Sequence, residues 1–300
     1  MRRTLSIFGL LAMCVAQTLG HGDDSHFLNR QDVQVKTTKV SGNVYMLQGR
    51  GGNVGALIGM DGILIVDDDY KAISTKLAAA LKELGSATPR FVFNTHWHGD
   101  HTGGNEFFGK DSIIMAHVNV RKRLLDPPVI FGEKTAPYQS LALPIVTYTE
   151  SMTLHINGEE VRAVHYPNGH TDGDSVIFFR NANVVHLGDD FFNGFFPFVD
   201  LDSGGSVQGM INNVAALIRQ IPADAKLIPG HGPIGTVDDL KAYHQTLVET
   251  SNIVQSQMKQ GKSLDEIKKA GLPEKYKNWG SGFMKTDLWI EIVYRSYSKK

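Results

Sequence analysis

Short apolar runs that end in turn residues fill the first two thirds of the chain. Residues 44–47, 55–59 and 62–66 each predict a strand; the last run is continuously apolar before three aspartates, which is typical of a strand buried on both faces. Residues 72–84 carry apolar side chains at helical spacing, and residues 91–94 predict the next strand. This alternation of strands and helices favours a mixed α and β construction over an all-β sandwich.

The centre of the chain contains a hairpin signal. Residues 151–156 and 159–166 flank Asn157-Gly158, a dipeptide that supplies the two positive φ angles of a type I′ turn. Two further strands are expected nearby, at 175–179 and 184–187.

The last quarter of the chain has a helical pattern. A capping box at residues 263–266 marks the start of a short helix. We therefore expect a helical extension from about residue 237. Its first helix is indicated by an apolar stripe made of Leu240, Tyr243, Leu247, Val254 and Met258.

Two stretches are predicted to be long loops. Residues 121–149 contain four prolines, and residues 191–206 are rich in Phe and Gly. Loops of this length in a compact domain are usually functional or mobile. No linker or internal repeat divides the sequence, so we expect a single domain over residues 21–300.

The N-terminus has the three-part layout of a secretory signal peptide. Arg2 and Arg3 precede a mostly apolar segment, and small residues near Gly20 offer a cleavage site, so residues 1–20 are predicted to be removed on export. The expected location is secreted or periplasmic. Lipidation at Cys14 is an alternative, although Met13 is large for the position before a lipidated cysteine. Because the chain has one cysteine, the mature protein would have no disulfide and no thiolate ligand.

Composition narrows the classes of partner. With 300 residues, of which 42% are hydrophobic, the chain can bury one large core. The net charge is -1 without a basic block, which gives no electrostatic support for binding nucleic acid. No apolar run reaches the roughly 18 residues that a bilayer span needs, so stable membrane insertion is not expected. The sequence leaves the oligomeric state open.

The strongest chemical signal follows the predicted strand 91–94. His96, His98, Asp100 and His101 place four potential metal ligands within six residues. Alternating histidines on an extended backbone point to the same side, and a glycine lets the chain turn before the next two ligands. Solvated histidines are common singly but not at this density, so the segment predicts a metal site.

Three later residues have a similar local setting, at the end of an apolar run and beside a glycine. These residues are His170, Asp189 and His231. Each alone could be an ordinary turn residue. Together with the first cluster they supply enough donors for two metal ions.

The string His96-Trp97-His98-Gly99-Asp100-His101, followed in order by His170, Asp189 and His231, resembles the metallo-β-lactamase superfamily over roughly residues 44–233. The resemblance implies an α+β fold, a four-layer αββα sandwich with its ligands at one edge of the two sheets. It also implies two zinc ions per chain. The first would be held by His96, His98 and His170, the second by Asp100, His101 and His231, with Asp189 bridging them.

The implied activity is hydrolysis of a small-molecule substrate. Zinc-activated hydroxide would attack an amide or ester carbonyl, and Asp100 would deliver a proton to the leaving group. A β-lactam is the first expected substrate. A lactonase of the acyl-homoserine-lactone type and a glyoxalase-II-like thioesterase are the alternatives, although export argues against an intracellular thioester. A mature chain without cysteine differs from the cysteine-bearing group of β-lactamases.

Two alternatives belong to other functional classes. An iron-dependent sulfur dioxygenase of the same fold needs only ligands such as His96, His170 and Asp189. The complete second set is better explained by two metals. A non-catalytic exported metal-binding protein is the other alternative, and turnover sensitive to a chelator would exclude it.

The roles of Asp67 and of the loop phenylalanines, both near the predicted site, can each be interpreted in two ways. Asp67, at the end of the run 62–66, either orients a ligand imidazole or belongs to a solvated turn. The phenylalanines of the second loop either line the mouth of the site or fix the loop to the core; they are Phe191, Phe192, Phe195, Phe196 and Phe198. The remaining histidines are interpreted as structural or surface groups.

Overall fold

The computed structural model describes residues 33–130 and 133–298. The predicted signal peptide at 1–20, including Cys14, lies outside the described residues. From Gln34 onward the described part of the chain forms one compact unit.

The strands build two large sheets and one small hairpin. They are β1 Lys36–Ser41, β2 Val44–Gln48, β3 Val54–Leu57, β4 Leu64–Val66, β5 Phe91–Asn94, β6 Ile113–His117, β7 Val129–Ile130, β8 Glu133–Lys134, β9 Val146–Tyr148, β10 Ser151–Ile156, β11 Glu159–His165, β12 Ser175–Phe179, β13 Val184–His186 and β14 Lys226–Ile228.

The first sheet has the order β1-β2-β3-β4-β5-β6-β9, and the second has the order β10-β11-β12-β13-β14. The pairings of β4 with β5, of β5 with β6 and of β6 with β9 are parallel, as is the pairing of β13 with β14. The other pairings within the two sheets are antiparallel. Parallel neighbours place their carboxyl ends at the same edge, where ligands commonly bind.

The helices include short segments near the first ligand cluster and longer ones after residue 206. They are α1 Ser74–Glu83, α2 Gly99–Thr102, α3 Asn105–Phe108, α4 Val118–Leu125, α5 Val207–Gln220, α6 Val237–Lys259, α7 Leu264–Ala270 and α8 Thr286–Ser298. Short 3-10 helices lie at Lys71–Ile73, Ser140–Ala142, Gly188–Asp190, Leu201–Ser203 and Glu274–Ser281.

Side-chain alternation along β12 shows how the layers are stacked. Ile177 and Phe179 pack into the core between the two sheets, while Val176 and Phe178 face a second core that includes buried residues of α5, α6 and α8. On the first sheet, α4 packs against the β6 residue Ala116. Helices therefore cover both outer faces, and the predicted four-layer αββα sandwich is confirmed.

The predicted hairpin and helix starts are also observed. Asn157 and Gly158 have φ angles of 56° and 71°, and the register pairs Ile156 with Glu159. The Ser263 side chain accepts from the Glu266 backbone in a complete capping box that opens α7. These local signals were readable from sequence because each depends on neighbouring residues.

The loop predicted at 121–149 is wrong in part. Helix α4 continues to Leu125, β7 and β8 form a hairpin, and β9 extends the first sheet as an edge strand beside β6. Strands of two or three residues are too short to show a periodic pattern, and residues Val146 and Thr147 of β9 are exposed. Among the helices within the described ranges, none is long and apolar enough to cross a membrane.

The C-terminal helix α8 contributes directly to the core of the second layer. Trp289 and Ile290 are fully buried, and the Trp289 indole Nε1 donates to Thr250 Oγ1 of α6 at 2.9 Å. The helical extension is therefore packed onto the sandwich through an aromatic anchor.

We expect Trp289→Ala to lower the free energy of unfolding by about 3–5 kcal/mol, because it leaves a large cavity and removes the hydrogen bond to Thr250. Leu288→Ala is the matched control, since Leu288 is 41% exposed, and it should change stability by less than about 1 kcal/mol. Urea unfolding followed by circular dichroism measures both values. Equal losses for the two variants would contradict the anchoring role.

Candidate metal centre

Loops at the ends of several strands converge on one edge of the sandwich. His96 and His98 follow β5, and Asp100 and His101 lie in α2. The other predicted ligands follow strands of the second sheet. They are His170 after β11, Asp189 in the 3-10 helix after β13, and His231 after β14. All seven residues predicted from sequence are thus brought to the same place.

The seven side chains form two groups. His96, His98, His170 and Asp189 make the first group, and all four are buried. The second group is more open and consists of Asp100, His101 and His231. Within each group, one donor atom from every residue lies within 4.8 Å of the others, a spacing that suits a single metal ion per group.

Asp189 lies between the two groups with one carboxylate oxygen facing each. Its Oδ2 is 3.3 Å from His170 Nε2 and 3.8 Å from His96 Nε2. Its Oδ1 is 3.1 Å from His101 Nε2 and 3.4 Å from His231 Nε2. This is the arrangement that a bridging carboxylate requires.

Hydrogen bonds on the outer side fix the tautomers of His98 and His170. His98 Nε2 donates to Asp200 Oδ2 at 3.0 Å, and His170 Nδ1 donates to the Phe198 carbonyl at 2.8 Å. Each ring therefore turns a bare lone pair inward, and these two nitrogens are 2.8 Å apart. Two lone pairs at this distance are compatible when both point at a cation.

A similar network orients His96 and His101 through Asp67. The Thr95 hydroxyl donates to Asp67 Oδ2 at 2.8 Å, so it accepts from His96 Nδ1 at 3.0 Å. His101 Nδ1 lies 2.8 Å from the same Asp67 oxygen and donates to it. Asp67 is fully buried, so its second reading as a solvated turn residue is wrong.

The donor set fits a metal ion. His96 Nε2 and Asp189 Oδ1 are buried and have no hydrogen-bond partner within the described part of the chain. Buried polar atoms are normally satisfied, so these two unpaired atoms, one facing each group, indicate that each group is a cation site. Inward imidazole nitrogens together with carboxylate oxygens are the ligands of catalytic zinc.

The electrostatics of the two groups differ. Burial lowers the pKa of His96 well below its usual value and that of His170 to about 4, so both rings are neutral ligands at pH 7. Burial acts in the same direction on His231, but Asp189 and Asp100 overcome it and raise its pKa to about 9. Metal binding to the second group must therefore displace protons.

Three consecutive buried aspartates organise the surroundings. Asp67 and Asp69 have positive φ angles of 63° and 60°, which lets successive carboxylates point in different directions. Asp68 Oδ1 accepts from the Gly104 backbone at 2.8 Å. Asp69 accepts from the backbone of the turn between β2 and β3. The Asp-Asp-Asp run therefore holds the ligand helix and an adjacent turn in place.

Sequence reasoning missed Asp200. Its carboxylate is buried, and besides His98 it accepts from the backbone of Asp202 and Ser203. Although burial acts to raise it, the hydrogen bond and charge of His98 lower the pKa of Asp200 to about 2. It lies 102 residues from its histidine in a loop without a motif, so no sequence signal identified it.

The phenylalanines of residues 191–206 fix the loop to the core, as one of the two interpretations predicts. Phe191 and Phe196 are fully buried in the helical core. Phe192 stacks on the His231 ring with centroids 5.0 Å apart, and Phe198 lies 5.7 Å from the ring of His98. The loop is thus fixed to the core while two of its rings support ligand histidines.

Asp190 is not part of either metal group. A Cβ built on Gly169 would lie 2.5 Å from Asp190 Oδ1 and 2.6 Å from Asn213 Nδ2, which places this carboxyl in a separate buried pocket. Burial, and then the neighbouring Asp174, raise its pKa well above the usual range. The described histidines without a motif, His117, His155, His165, His186 and His244, also lie outside the two metal groups. His117 and His165, for example, stack on each other at 3.7 Å.

A cavity of about 430 Å³ lies between the loop 198–202 and α8. Its walls are mainly apolar and include Val129, Met284, Leu288 and Ile292. Phe198 and Asp200 also line it, so the cavity lies directly behind the residues that hold His98.

Comparison with known sequences gives a consistent result. The sequence model of the Metallo-beta-lactamase superfamily matches residues 37–233. A probable metallo-hydrolase, YqgX of Bacillus subtilis, is 27% identical over 180 residues, which cover 59% of this chain and 83% of that protein. Hydroxyacylglutathione hydrolase of Nitrosococcus oceani is 26% identical over 149 residues, and the match spans 47% of each chain.

Solved structures share the fold at low sequence identity. The inverting sec-alkylsulfatase Pisa1 from Pseudomonas sp. aligns with a TM-score of 0.63 and 16% identity, covering 88% of this chain and 50% of that one. A metallo-beta-lactamase from Pontibacter korlensis aligns with a TM-score of 0.59 and 16% identity, covering 71% of this chain and 99% of that one.

The position of Asp189 predicts its effect on metal content. Asp189→Asn removes the negative charge and should weaken metal binding by more than the roughly 10–100-fold that residues outside the ligand shell usually contribute. Asp190→Asn is a nearly isosteric control and should keep full metal content. Elemental analysis after dialysis at fixed free zinc measures both. Loss of metal in Asp190→Asn but not in Asp189→Asn would contradict the assignment.

Asp200 is expected to act through His98. Asp200→Asn keeps the shape of the side chain but weakens the charge-assisted hydrogen bond, and metal affinity should fall by roughly tenfold or more. Competition with a chromophoric chelator measures this affinity. Asp202→Asn, two residues away and partly exposed, should leave it unchanged. Identical affinities for the two variants would show that Asp200 does not position the ligand.

Proposed function

This chain belongs to the metallo-β-lactamase superfamily, and on that premise we propose that it is a dinuclear zinc hydrolase that cleaves amide or ester bonds at the carbonyl carbon of a small molecule. The observation that carries the proposal is the position of Asp189, which turns one oxygen to each of two groups of metal-ligating side chains.

The donor chemistry supports zinc. His96, His98 and His170 would hold one ion, and Asp100, His101 and His231 the other, with Asp189 shared. Imidazole and carboxylate donors in this number suit catalytic zinc, and residues 33–300 contain no cysteine that could supply a thiolate. When bound, two zinc ions would supply an activated water molecule and polarise the carbonyl of the substrate.

The exposed side of the centre indicates where the substrate approaches. The side chains of Asp100 and His231 are 20% and 28% exposed, while His96, His101 and His170 are almost fully buried. Asp100 Oδ2 is 3.3 Å from His231 Nε2, so one carboxylate oxygen is held toward the second group. Asp100 is therefore suited to accept a proton from the attacking water molecule and to pass it to the leaving group as the bond breaks.

We propose β-lactams as the first substrate class and thioesters as the second. Exported proteins meet β-lactams outside the cytoplasm, and residues 1–20 support export. Thioesters are supported by the match to hydroxyacylglutathione hydrolase, which spans about half the length of that protein. The similarity to an alkylsulfatase concerns the fold alone and does not support a sulfate ester as the substrate of this chain.

The second group of ligands favours hydrolysis over iron-dependent sulfur oxidation. A single-iron site needs no more than the first group and leaves the second without a purpose. Here His101 Nε2 and His231 Nε2 lie 3.4 Å apart and both face Asp189 Oδ1. This convergence supports a second metal ion.

The proposal predicts two zinc ions per chain and turnover that a chelator abolishes. Protein produced with zinc and iron both available should be analysed for metals and assayed against a β-lactam, a lactone, a thioester and a phosphodiester. His231→Ala should retain one metal and lose turnover by orders of magnitude, because one Lewis acid is missing. One iron without zinc in the purified protein would overturn the proposal, as would normal turnover in His231→Ala.

A further inference from the structure

A glycine-rich turn between β2 and β3 lies against the second group of ligands. The Gly52 backbone N–H donates to the Asp100 carbonyl at 3.0 Å. A Cβ built on Gly52 would lie 2.2 Å from His101 Cε1, and one built on Gly51 would lie 2.7 Å from Asp100 Cβ. Glycine is needed at both positions because the backbone touches the ligands. The turn is therefore part of the wall of the centre.

Asp69 fixes this turn. Its carboxylate accepts from the backbone N–H groups of Arg50 at 3.0 Å and Gly51 at 2.8 Å, and from that of Tyr70 at 2.6 Å. Asp69 is itself buried. The backbone of Arg50 is thus held in one place, two residues from the contact between Gly52 and His101.

The side chain of Arg50 lies beside Tyr70. The guanidinium carbon is 5.8 Å from the centre of the Tyr70 ring, within the range of a cation–π contact. Burial, followed by the charge of Asp100, raises the pKa of Tyr70. The turn that carries Arg50 lies against Asp100 and His101, and the Asp100 side chain is 20% exposed, so Arg50 lies next to the open side of the centre.

Three of the described arginines make side-chain ion pairs, and Arg50 is not among them. Arg123, Arg180 and Arg295 each have a carboxylate within 4.0 Å. For Arg50, the residues at 33–130 and 133–298 provide no such carboxylate, although several acidic groups are nearby. Its planar fork of N–H donors matches the oxygens of a carboxylate or similar oxyanion.

We propose that Arg50 forms an anion-binding subsite, and that the substrate carries a carboxylate or comparable oxyanion close to the bond that is cleaved. This inference rests on the proposed hydrolase function and specifies its substrate class. The anionic group would lie on Arg50 at the rim while the reacting carbonyl lies over Asp100 and His231. The Tyr70 ring would keep the guanidinium in position.

Two 4-nitrophenyl esters with the same leaving group provide the kinetic test. The acetate is neutral, whereas the hydrogen succinate carries a carboxylate. Arg50→Ala should raise KM for the succinate ester by roughly tenfold relative to KM for the acetate, since a hydrogen bond to a charged group is lost. Arg50→Lys keeps the charge without the fork and should show a smaller change.

Arg90→Ala is the matched control. The Arg90 guanidinium carbon lies 5.1 Å from the Phe91 ring, and Arg90 stands before β5 whereas the ligands follow the opposite end of that strand. Like Arg50→Ala, the Arg90→Ala variant removes a contact between an arginine and an aromatic ring. The ratio of the two KM values should stay at its wild-type value.

A binding measurement separates this inference from the proposed function. Calorimetric titration of the zinc-loaded protein with glutarate and with glutaramate compares two carboxylates with one carboxylate and one amide. Wild-type and Arg90→Ala proteins should prefer glutarate, and Arg50→Ala should lose that preference. If this pattern appears and none of the tested substrates is cleaved, the anion subsite stands and the hydrolase proposal fails. The opposite outcome is that substrates are cleaved, but neither the ratio of the two KM values nor the preference for glutarate depends on Arg50. In that case the hydrolase proposal stands and the subsite is overturned.

Discussion

Asp189 is a buried carboxylate enclosed by imidazoles, and the loops at one edge of the sandwich are arranged around it. Asp189 faces nitrogen atoms of both ligand groups at distances of 3.1 to 3.8 Å. Burying these polar groups together is unfavourable unless a cation or protons compensate them. The four-layer sandwich meets the constraint by bringing the loops that follow β5, β11, β13 and β14 to one edge, where each contributes one part of the set.

Hydrogen bonds behind the ligands fix the orientation of the histidine rings. Asp67 serves two ligand histidines, one directly and one through Thr95, and Asp200 serves a third. The Phe198 carbonyl holds His170. Because each outer bond fixes which nitrogen carries the proton, the inward nitrogens are ready to bind metal without rearrangement. The predicted sensitivity of metal affinity to Asp200 follows from this arrangement rather than from any contact with the ion.

The metal centre determines the type of reaction, whereas residues around its opening are expected to determine the substrate. Ligand groups of this kind define a metal-dependent hydrolase, but similar centres serve proteins that act on different molecules, so the centre does not select the substrate. We expect residues around the opening, such as those of the turn that carries Arg50, to select the substrate. That turn is rigid because Asp69 accepts from its backbone, and it touches His101 through Gly52. A rigid cation at the rim is a means of choosing among acyl compounds by charge.

Features that depend on neighbouring residues can be predicted from the chain alone. They are the cluster at residues 96–101, the type I′ turn at Asn157 and the buried run that precedes the three aspartates. The resemblance carried by these residues extended the prediction to the fold and to the two ligand groups. The side chains that lie behind the ligands follow from the tertiary fold instead. Asp200 reaches its histidine across 102 residues, and the turn that carries Arg50 reaches Asp100 and His101 because Asp69 holds it there. Such contacts leave no periodicity or motif in the chain, because they arise when separate strand ends meet at one edge of the sandwich.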